Sequence, residues 1–342
     1  MAAGDAPSTL AELRTDLLEG MKDVTAATAV NTIANRYLNK ALQDIHQERW
    51  SWAERRSTIR TVEPYTTGTV TIAITSLTTR LAVTGTDTAW ATSNTFSVAN
   101  AVAGYKMTLG GAVMPHLVGT VGGAVSITLD TTTPYMGDDT LTDASYALYQ
   151  DEYAVSADFD DVIDARFFDE DRKIELVGAK KFLTLYPRNT VRGTPKFATL
   201  IELGPSSSVA LRKRVLFGPA PDAAYIVPYR YYTTYLAVSA TGTLAAGLSS
   251  DTDEPIIPMR FRQSIVYKAQ ELWYSDRRDD SRSQEARGRY ETLMLRARAA
   301  KGPTDDRPRI VSPAARYLRR ARFPYTQVPP RFSGTKFDQM EE

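Results

Sequence analysis

Cysteine is absent from the 342 residues. That absence excludes disulfide frameworks, thiolate nucleophiles, iron–sulfur clusters and cysteine-ligated zinc. Histidine is almost as scarce: His46 and His116 are the only two, which leaves no set of imidazoles for a metal centre. No apolar run reaches the roughly 18 to 20 residues that a membrane helix needs. The stretch from Met1 to Asp16 is acidic and polar, where a signal peptide is basic and then apolar. The expectation is a chain that neither spans a membrane nor is secreted by that route. The sequence also lacks a Gly-x-Ser-x-Gly elbow, a Walker phosphate loop, a dinucleotide glycine fingerprint and a His-Glu-x-x-His helix. No catalytic residue, metal or cofactor is therefore expected.

What is present describes a folded protein. Hydrophobic residues make up 43% and charged residues 24%, far from disordered or membrane compositions. The net charge is +1, but it is unevenly spread. Residues 61–165 carry 2 Lys+Arg against 12 Asp+Glu, residues 259–300 carry 10 against 6, and residues 301–342 carry 9 against 5. An acidic middle thus faces a basic C-terminal third, an asymmetry that speaks to partners; solvated faces of different composition are the plainer reading.

Thr9 and Glu12 form a capping-box pattern before Leu10, Leu13 and Leu17, and Gly20 is placed to stop that helix. From about Thr25 to Arg49, Ile33, Tyr37, Ala41 and Ile45 recur at helical spacing beside Leu38 and Leu42, with Trp50 and Trp52 flanking the end. Thr61 opens a Thr-, Val- and Gly-rich texture, with strands over 70–74, 81–83, 105–109 and 125–129. An antiparallel sandwich or small barrel is expected over residues 62–150. A second β region follows over 151–258, with strands placed at 173–177, 182–185, 197–203, 210–217 and 225–238. Helical spacing returns in 259–300 through Ile265, Ala269 and Leu272, then Tyr290, Leu293, Met294 and Ala297. Six prolines in 301–342 exclude continuous helix there and favour an extended arm. The fold class expected is α+β: a helical bundle from both ends of the chain (residues 1–61 and 259–300), two β regions between them, and the arm.

Asp158, Asp160, Asp161 and Asp164, then Asp169, Glu170 and Asp171, are the densest carboxylates. Their spacing matches no EF-hand, and a solvated loop or a patch facing Lys and Arg is the reading preferred over a cation site or a hydrolytic pair. Arg277, Arg278, Arg282, Arg287, Arg289, Arg296 and Arg298 give the last helices a basic surface, interleaved with Asp276, Asp279, Asp280, Glu285 and Glu291. Ion pairs within or between subunits are preferred there over phosphate binding. Tyr225, Tyr229, Tyr231, Tyr232 and Tyr235 are read as core or interface before base stacking.

Taken in order, several segments resemble the head-to-tail adaptor (connector, or tail tubular) proteins of tailed bacteriophages. They are Ile33-Ala34-Asn35-Arg36-Tyr37-Leu38-Asn39-Lys40-Ala41-Leu42-Gln43-Asp44-Ile45 with Trp50-Ser51-Trp52, the Gly-Thr-Pro of 193–195, Phe217-Gly218-Pro219-Ala220-Pro221-Asp222 leading to Tyr229-Arg230-Tyr231-Tyr232, and Glu254-Pro255-Ile256-Ile257-Pro258. Val83-Thr84-Gly85-Thr86-Asp87-Thr88-Ala89-Trp90 and Thr133-Pro134-Tyr135 are similar to a β module that many such adaptors carry. One departure stands out: relatives commonly read Leu-Pro-x-Asp-Phe where this chain has Val155-Ser156-Ala157-Asp158-Phe159.

The resemblance implies a ring, usually of twelve copies, between the portal and the tail nozzle or tube. Its channel would pass genomic DNA without sequence-specific binding. It also implies a place in the virion neck, after assembly in the host cytoplasm, with no membrane contact and tail fibres as a further neighbour. A closed ring needs two different complementary faces on each copy. The helices are expected to supply neighbouring contacts, with Arg277, Arg278, Arg282, Arg287 and Arg289 as inter-subunit or channel residues. The arm is expected to bind the portal through Arg316, Arg319, Arg320 and Arg322, anchored by Phe323, Tyr325 and Phe332. The acidic β module is expected on the exterior or the tail side, with an acidic bore lining as the rival. The alternative function is a tail-associated wall hydrolase or glycan-binding protein.

Overall fold

The computed structural model describes residues 7–21, 28–94, 97–110, 114–167, 172–203 and 212–300. It is a mixed α+β structure with six α-helices among the described residues, and the chain divides into two compact units, 1–291 and 292–342. The arm residues of 301–342 lie outside the described part.

Helix α1 (Leu10–Gly20) begins at Thr9, whose hydroxyl accepts from the Glu12 amide at 3.4 Å. The expected reciprocal bond is displaced by one residue: the Glu12 carboxylate accepts from the amide and hydroxyl of Ser8, at 2.6 and 2.8 Å. Gly20 is the last helical residue, and its missing side chain has a packing reason, since a Cβ there would lie 2.1 Å from the amide nitrogen of Gln270. Helix α2 (Thr28–His46) buries Ala34, Tyr37, Leu38, Ala41, Leu42 and Ile45, whereas Ile33, expected on that stripe, is exposed. Past the stacked Trp50 and Trp52 rings (4.4 Å, 8°), the segment expected to close the helical portion is strand β1 (Glu54–Arg60).

Strands β2 (Thr69–Ile72), β3 (Ala82–Thr86), β4 (Lys106–Leu109), β5 (His116–Val121), β6 (Ser126–Leu129), β7 (Leu141–Ala144) and β8 (Tyr146–Tyr149) form one sheet, with the short helix α3 (Leu77–Leu81) between β2 and β3. The sheet order is β7-β2-β3-β6-β5-β4-β8. Its two outer members are consecutive in the chain, separated by Ser145 alone, and Tyr65 bridges Leu148 through two backbone bonds of 2.8 and 2.9 Å. The sheet therefore curls round on itself, closer to a barrel than to a two-sheet sandwich. Inside lie Val70, Ile72, Val83, Met107, Ile127 and Trp90. The Trp90 Nε1 donates to the Tyr146 hydroxyl at 2.9 Å, which satisfies its one polar atom.

Strands β9 (Glu152–Ala154), β10 (Phe159–Ala165) and β11 (Glu175–Leu176) lead to helix α4 (Ala179–Leu185). A strand was expected over 182–185, and the structure corrects this. Phe182 is fully buried while Leu183 and Leu185 are exposed. Phe182 and Tyr186, four residues apart, bring their tilted rings to 5.5 Å, which is a helical and not an alternating relation. Strands β12 (Phe197–Leu203) and β13 (Arg212–Gly218) build the sheet β11-β12-β13-β9, and β14 (Ile226–Thr233) lies between β1 and β10 in a three-stranded sheet.

Strands β15 (Ala237–Val238), β16 (Leu244–Ala245) and β17 (Glu254–Pro255) form a small antiparallel sheet before α5 (Gln263–Asp276) and α6 (Asp280–Ala300). Helices α1, α2 and α5 pack on one another, with Tyr37 edge-on to Trp273 at 5.3 Å and its hydroxyl donating to Asp276 at 2.5 Å. Arg262 joins distant parts of the chain by donating to the carbonyls of Ser8 (2.6 Å) and Ile257 (2.9 Å) and to Glu254 (3.0 Å).

Replacing Trp90 with Ala removes the largest side chain of the curled sheet and takes one of two hydrogen bonds from the Tyr146 hydroxyl, which keeps its bond to the Thr67 carbonyl. The expected loss is about 3–5 kcal/mol, read as a lower midpoint in urea unfolding, with Trp90→Phe costing clearly less.

Candidate functional site

The sheet β1-β14-β10 sets the geometry of a charged surface. Along β14, Val227, Tyr229, Tyr231 and Thr233 turn into the core, while Ile226, Pro228, Arg230 and Tyr232 alternate to the other face. The antiparallel register places Glu54, Arg56, Thr58 and Arg60 of β1 directly opposite Tyr232, Arg230, Pro228 and Ile226. On the other side, β10 sets Asp161 opposite Tyr232 and Asp164 opposite Arg230. Asp161 and Asp164 are three residues apart, so strict alternation would send them to opposite faces. A register irregularity between Val162 and Asp164 re-aims the strand and lets both meet the β14 outer face.

The carboxylates singled out in the sequence are therefore answered one by one. Asp164 is nearly buried; it accepts a two-pronged bond from Arg230 (2.9 and 3.0 Å) and a third from Arg166 at 3.3 Å. The hydrogen bond from the Arg230 guanidinium holds the Asp164 carboxyl below the usual carboxylate range, against the effect of burial. Asp161 pairs with Arg49, whose guanidinium also lies over the Tyr232 ring at 5.8 Å. Asp160 faces Lys213 at 3.7 Å. Asp158 is buried and takes hydroxyl donors from Ser156, from Thr233 at 2.6 Å and from Tyr231 at 2.9 Å. Burial pushes Asp158 up, but these three donors outweigh it and leave the group below its ordinary value. Further along, Asp151 pairs with Lys106 at 2.6 Å and Glu152 with Arg214 at 3.7 Å. Asp169, Glu170 and Asp171 lie outside the described residues.

The acidic middle of the sequence thus divides in two. Its second half, Asp151 to Asp164, is matched by cations and hydroxyls from elsewhere in the fold. The curled sheet leaves Asp87, Asp138, Asp139 and Asp143 exposed and without an ion pair among the described residues, and the two cations of that region are already engaged, Lys106 with Asp151 and Arg80 with the carbonyls of Tyr135 and Gly137.

The five arginines expected at subunit contacts or the channel take several roles. Arg277 caps α5 and lies over the Trp273 ring at 4.1 Å. Arg278 turns the corner between α5 and α6 with φ of 61°. Arg282 faces Asp279 at 3.5 Å. Arg287 pairs with Glu291 at 2.9 Å and Arg289 with Glu285 at 2.6 Å, both one helical turn apart. The ion pairs expected there are found within the chain, and the exposed guanidinium edges remain on the surface. The portal-arm residues Arg316, Arg319, Arg320, Arg322, Phe323, Tyr325 and Phe332 lie outside the described residues.

One feature was not anticipated from sequence. Arg56, Asp164, Arg166, Phe167, Pro228 and Arg230 bound an open groove of about 500 Å³ on the sheet face. Among the described residues, no cluster of His, Asp and Glu is arranged to hold a metal ion, and no helix is long and apolar enough to cross a membrane. No protein-family profile matches the chain, and no curated protein matches it in sequence.

Asp158 and Asp164 both have folded-state values below their unfolded ones. Their contribution to stability is complete above the ordinary aspartate value of about 3.9 and is lost as pH falls through the depressed folded values. Thermal unfolding followed from pH 7 to pH 2 should therefore hold level and then drop below about pH 4. Asp158→Asn should flatten that drop while costing about 1–3 kcal/mol at pH 7.

Proposed function

We propose that the chain is a structural head-to-tail adaptor of a tailed bacteriophage. In this reading it forms a ring, of twelve copies by its resemblance to that family, between the portal and the tail nozzle or tube. The ring lines the channel through which genomic DNA is retained and ejected. It sits in the virion neck, having assembled in the host cytoplasm, with the curled acidic sheet on the exterior or tail side. The packing of α1, α2 and α5, extended by α6, serves as its helical bundle, with two β regions inserted and the arm of 301–342 reaching the portal.

The observation that carries the reading is the distribution of unmatched charge. One chain holds exposed acid on the curled sheet without ion pairs among the described residues, and on the three-stranded sheet an exposed Arg56 without a carboxylate partner among them. Two unlike and complementary faces on one copy are what a head-to-tail ring requires. The wall-hydrolase alternative needs a carboxylate pair free for acid and base work. The densest acidic segment instead engages its described carboxylates with Arg, Lys and hydroxyl partners, which favours the structural role.

Mixing the purified chain with portal rings should yield a larger discrete particle, seen by mass photometry and negative-stain microscopy as one added ring. Ending the chain at Ala300 should weaken portal binding by about tenfold or more, as expected for losing several guanidinium and aromatic anchors. Unchanged binding would remove the arm from the account, and solubilisation of peptidoglycan by the protein would replace the adaptor reading with the hydrolase.

A further inference from the structure

We propose that the arginine groove on the outer face of β1, β14 and β10 is a socket for the 135–140 loop of a second copy of this chain. The inference rests on the ring reading and gives it a specific contact.

The groove gathers three arginines, Arg56, Arg166 and Arg230, around one lining carboxylate, Asp164. Arg56 stands directly opposite Arg230 in the strand register, and like charges in that relation repel. Asp164, the carboxylate between the arginines, gives both oxygens to Arg230 and one of them also to Arg166. Arg56 is exposed and has no carboxylate partner among the described residues. An incoming carboxylate beside Arg56 relieves the Arg56–Arg230 repulsion and accepts the paired N–H groups that a guanidinium presents. The walls add apolar surface from Phe167 and Pro228, so the site suits an acidic group next to an apolar side chain better than acid alone.

The 135–140 loop has that composition. Met136 is 75% exposed, the most exposed of the large hydrophobic residues described. Asp138 and Asp139 follow it, both exposed and neither in an ion pair among the described residues. The loop is also held in shape before any partner arrives. Arg80 donates to the carbonyls of Tyr135 and Gly137 at 3.0 and 2.9 Å, and the Tyr135 amide donates to the Arg80 carbonyl at 3.2 Å. A preformed loop loses little freedom on docking, which lowers the ordering cost of the contact. Because loop and groove are different surfaces, the contact is heterologous and repeats from copy to copy until the rotation closes.

The absence of native cysteine makes the test clean. A chain carrying both Arg56→Cys and Asp139→Cys, assembled on portal rings and mildly oxidised, should give a ladder of covalent multimers on non-reducing gels. A charge exchange supplies the independent arm. Arg56→Glu alone, and Asp138→Arg with Asp139→Arg alone, should each weaken ring assembly by about 30-fold or more, and combining all three should restore most of it. All of these positions are exposed, so unchanged urea midpoints will show that folding is intact. Three results would overturn the socket while leaving the ring in place: wild-type rings without a ladder from the cysteine pair, single-face variants that assemble normally, or a combined variant that fails to recover. Failure to recover would hand the groove to another anion, such as the acid of 169–171 in its own chain or a portal segment. A wild-type chain that forms no ring at all would sink this contact together with the adaptor reading.

Discussion

Strand β14 is the constraint on which the rest of the structure depends. It pairs over Ile226–Tyr232 with β1, which leaves the N-terminal helices, and over Tyr229–Thr233 with β10, which leaves the curled sheet. Its far end leads to Leu236 and the small sheet before α5. One eight-residue ladder therefore brings together segments that are more than a hundred residues apart in sequence. Closing loops of that length is entropically unfavourable. The return comes from the two faces of the strand, with Val227, Tyr229 and Tyr231 in the core and the guanidinium and carboxylate pairs on the other side.

The polar partners of β10 hold its register. Asp158 receives three hydroxyls, two of them from Tyr231 and Thr233 on β14, and Asp164 receives the fork of Arg230. A slip of one residue would withdraw both carboxylates from their donors, and an unpaired buried carboxylate is costly. His46, at the end of α2, makes a 2.5 Å contact with the Thr233 carbonyl, so the helices are tied to the same point. Ser156, in Val155-Ser156-Ala157-Asp158-Phe159, serves the same point twice, since its hydroxyl donates to Asp158 and its amide to the Tyr229 hydroxyl. A proline has neither donor.

Much of this fold was legible in the sequence where a single periodicity governed burial. The α1 leucines, the α2 stripe from Tyr37 to Ile45 and the strands near 70, 107 and 127 face one layer, and their patterns show it. The sequence was least readable where two surfaces are covered at once. Tyr146 to Tyr149 are all buried, because β8 closes the curl and also meets its neighbours, so no alternation marks it. Glu54-Arg55-Arg56-Ser57-Thr58-Ile59-Arg60 reads as a polar run, and its strand form comes from β14 and not from its own propensity. In Phe182 to Leu185 the hydrophobic side chains suggested a strand, although the burial of Phe182 follows its helical partner Tyr186.

The groove was beyond sequence reasoning for a related reason. Arg56, Asp164 and Arg230 come from three strands, and their meeting depends on register plus a bulge, which no local pattern encodes. The charge counts pointed to an acidic middle as one field. The structure instead matches the half after Gln150 within the chain and leaves the half in the curled sheet unmatched. That partition changes the electrostatic argument: self-repulsion around a ring scales with unmatched charge alone, and much of the acid in this segment is already neutralised beside β14. What remains is a small number of fixed, exposed carboxylates. Charge of that kind, few in number and fixed in place, contributes more to choosing a partner and its orientation than to raw affinity, which is the property the proposed ring would have to encode in each of its copies.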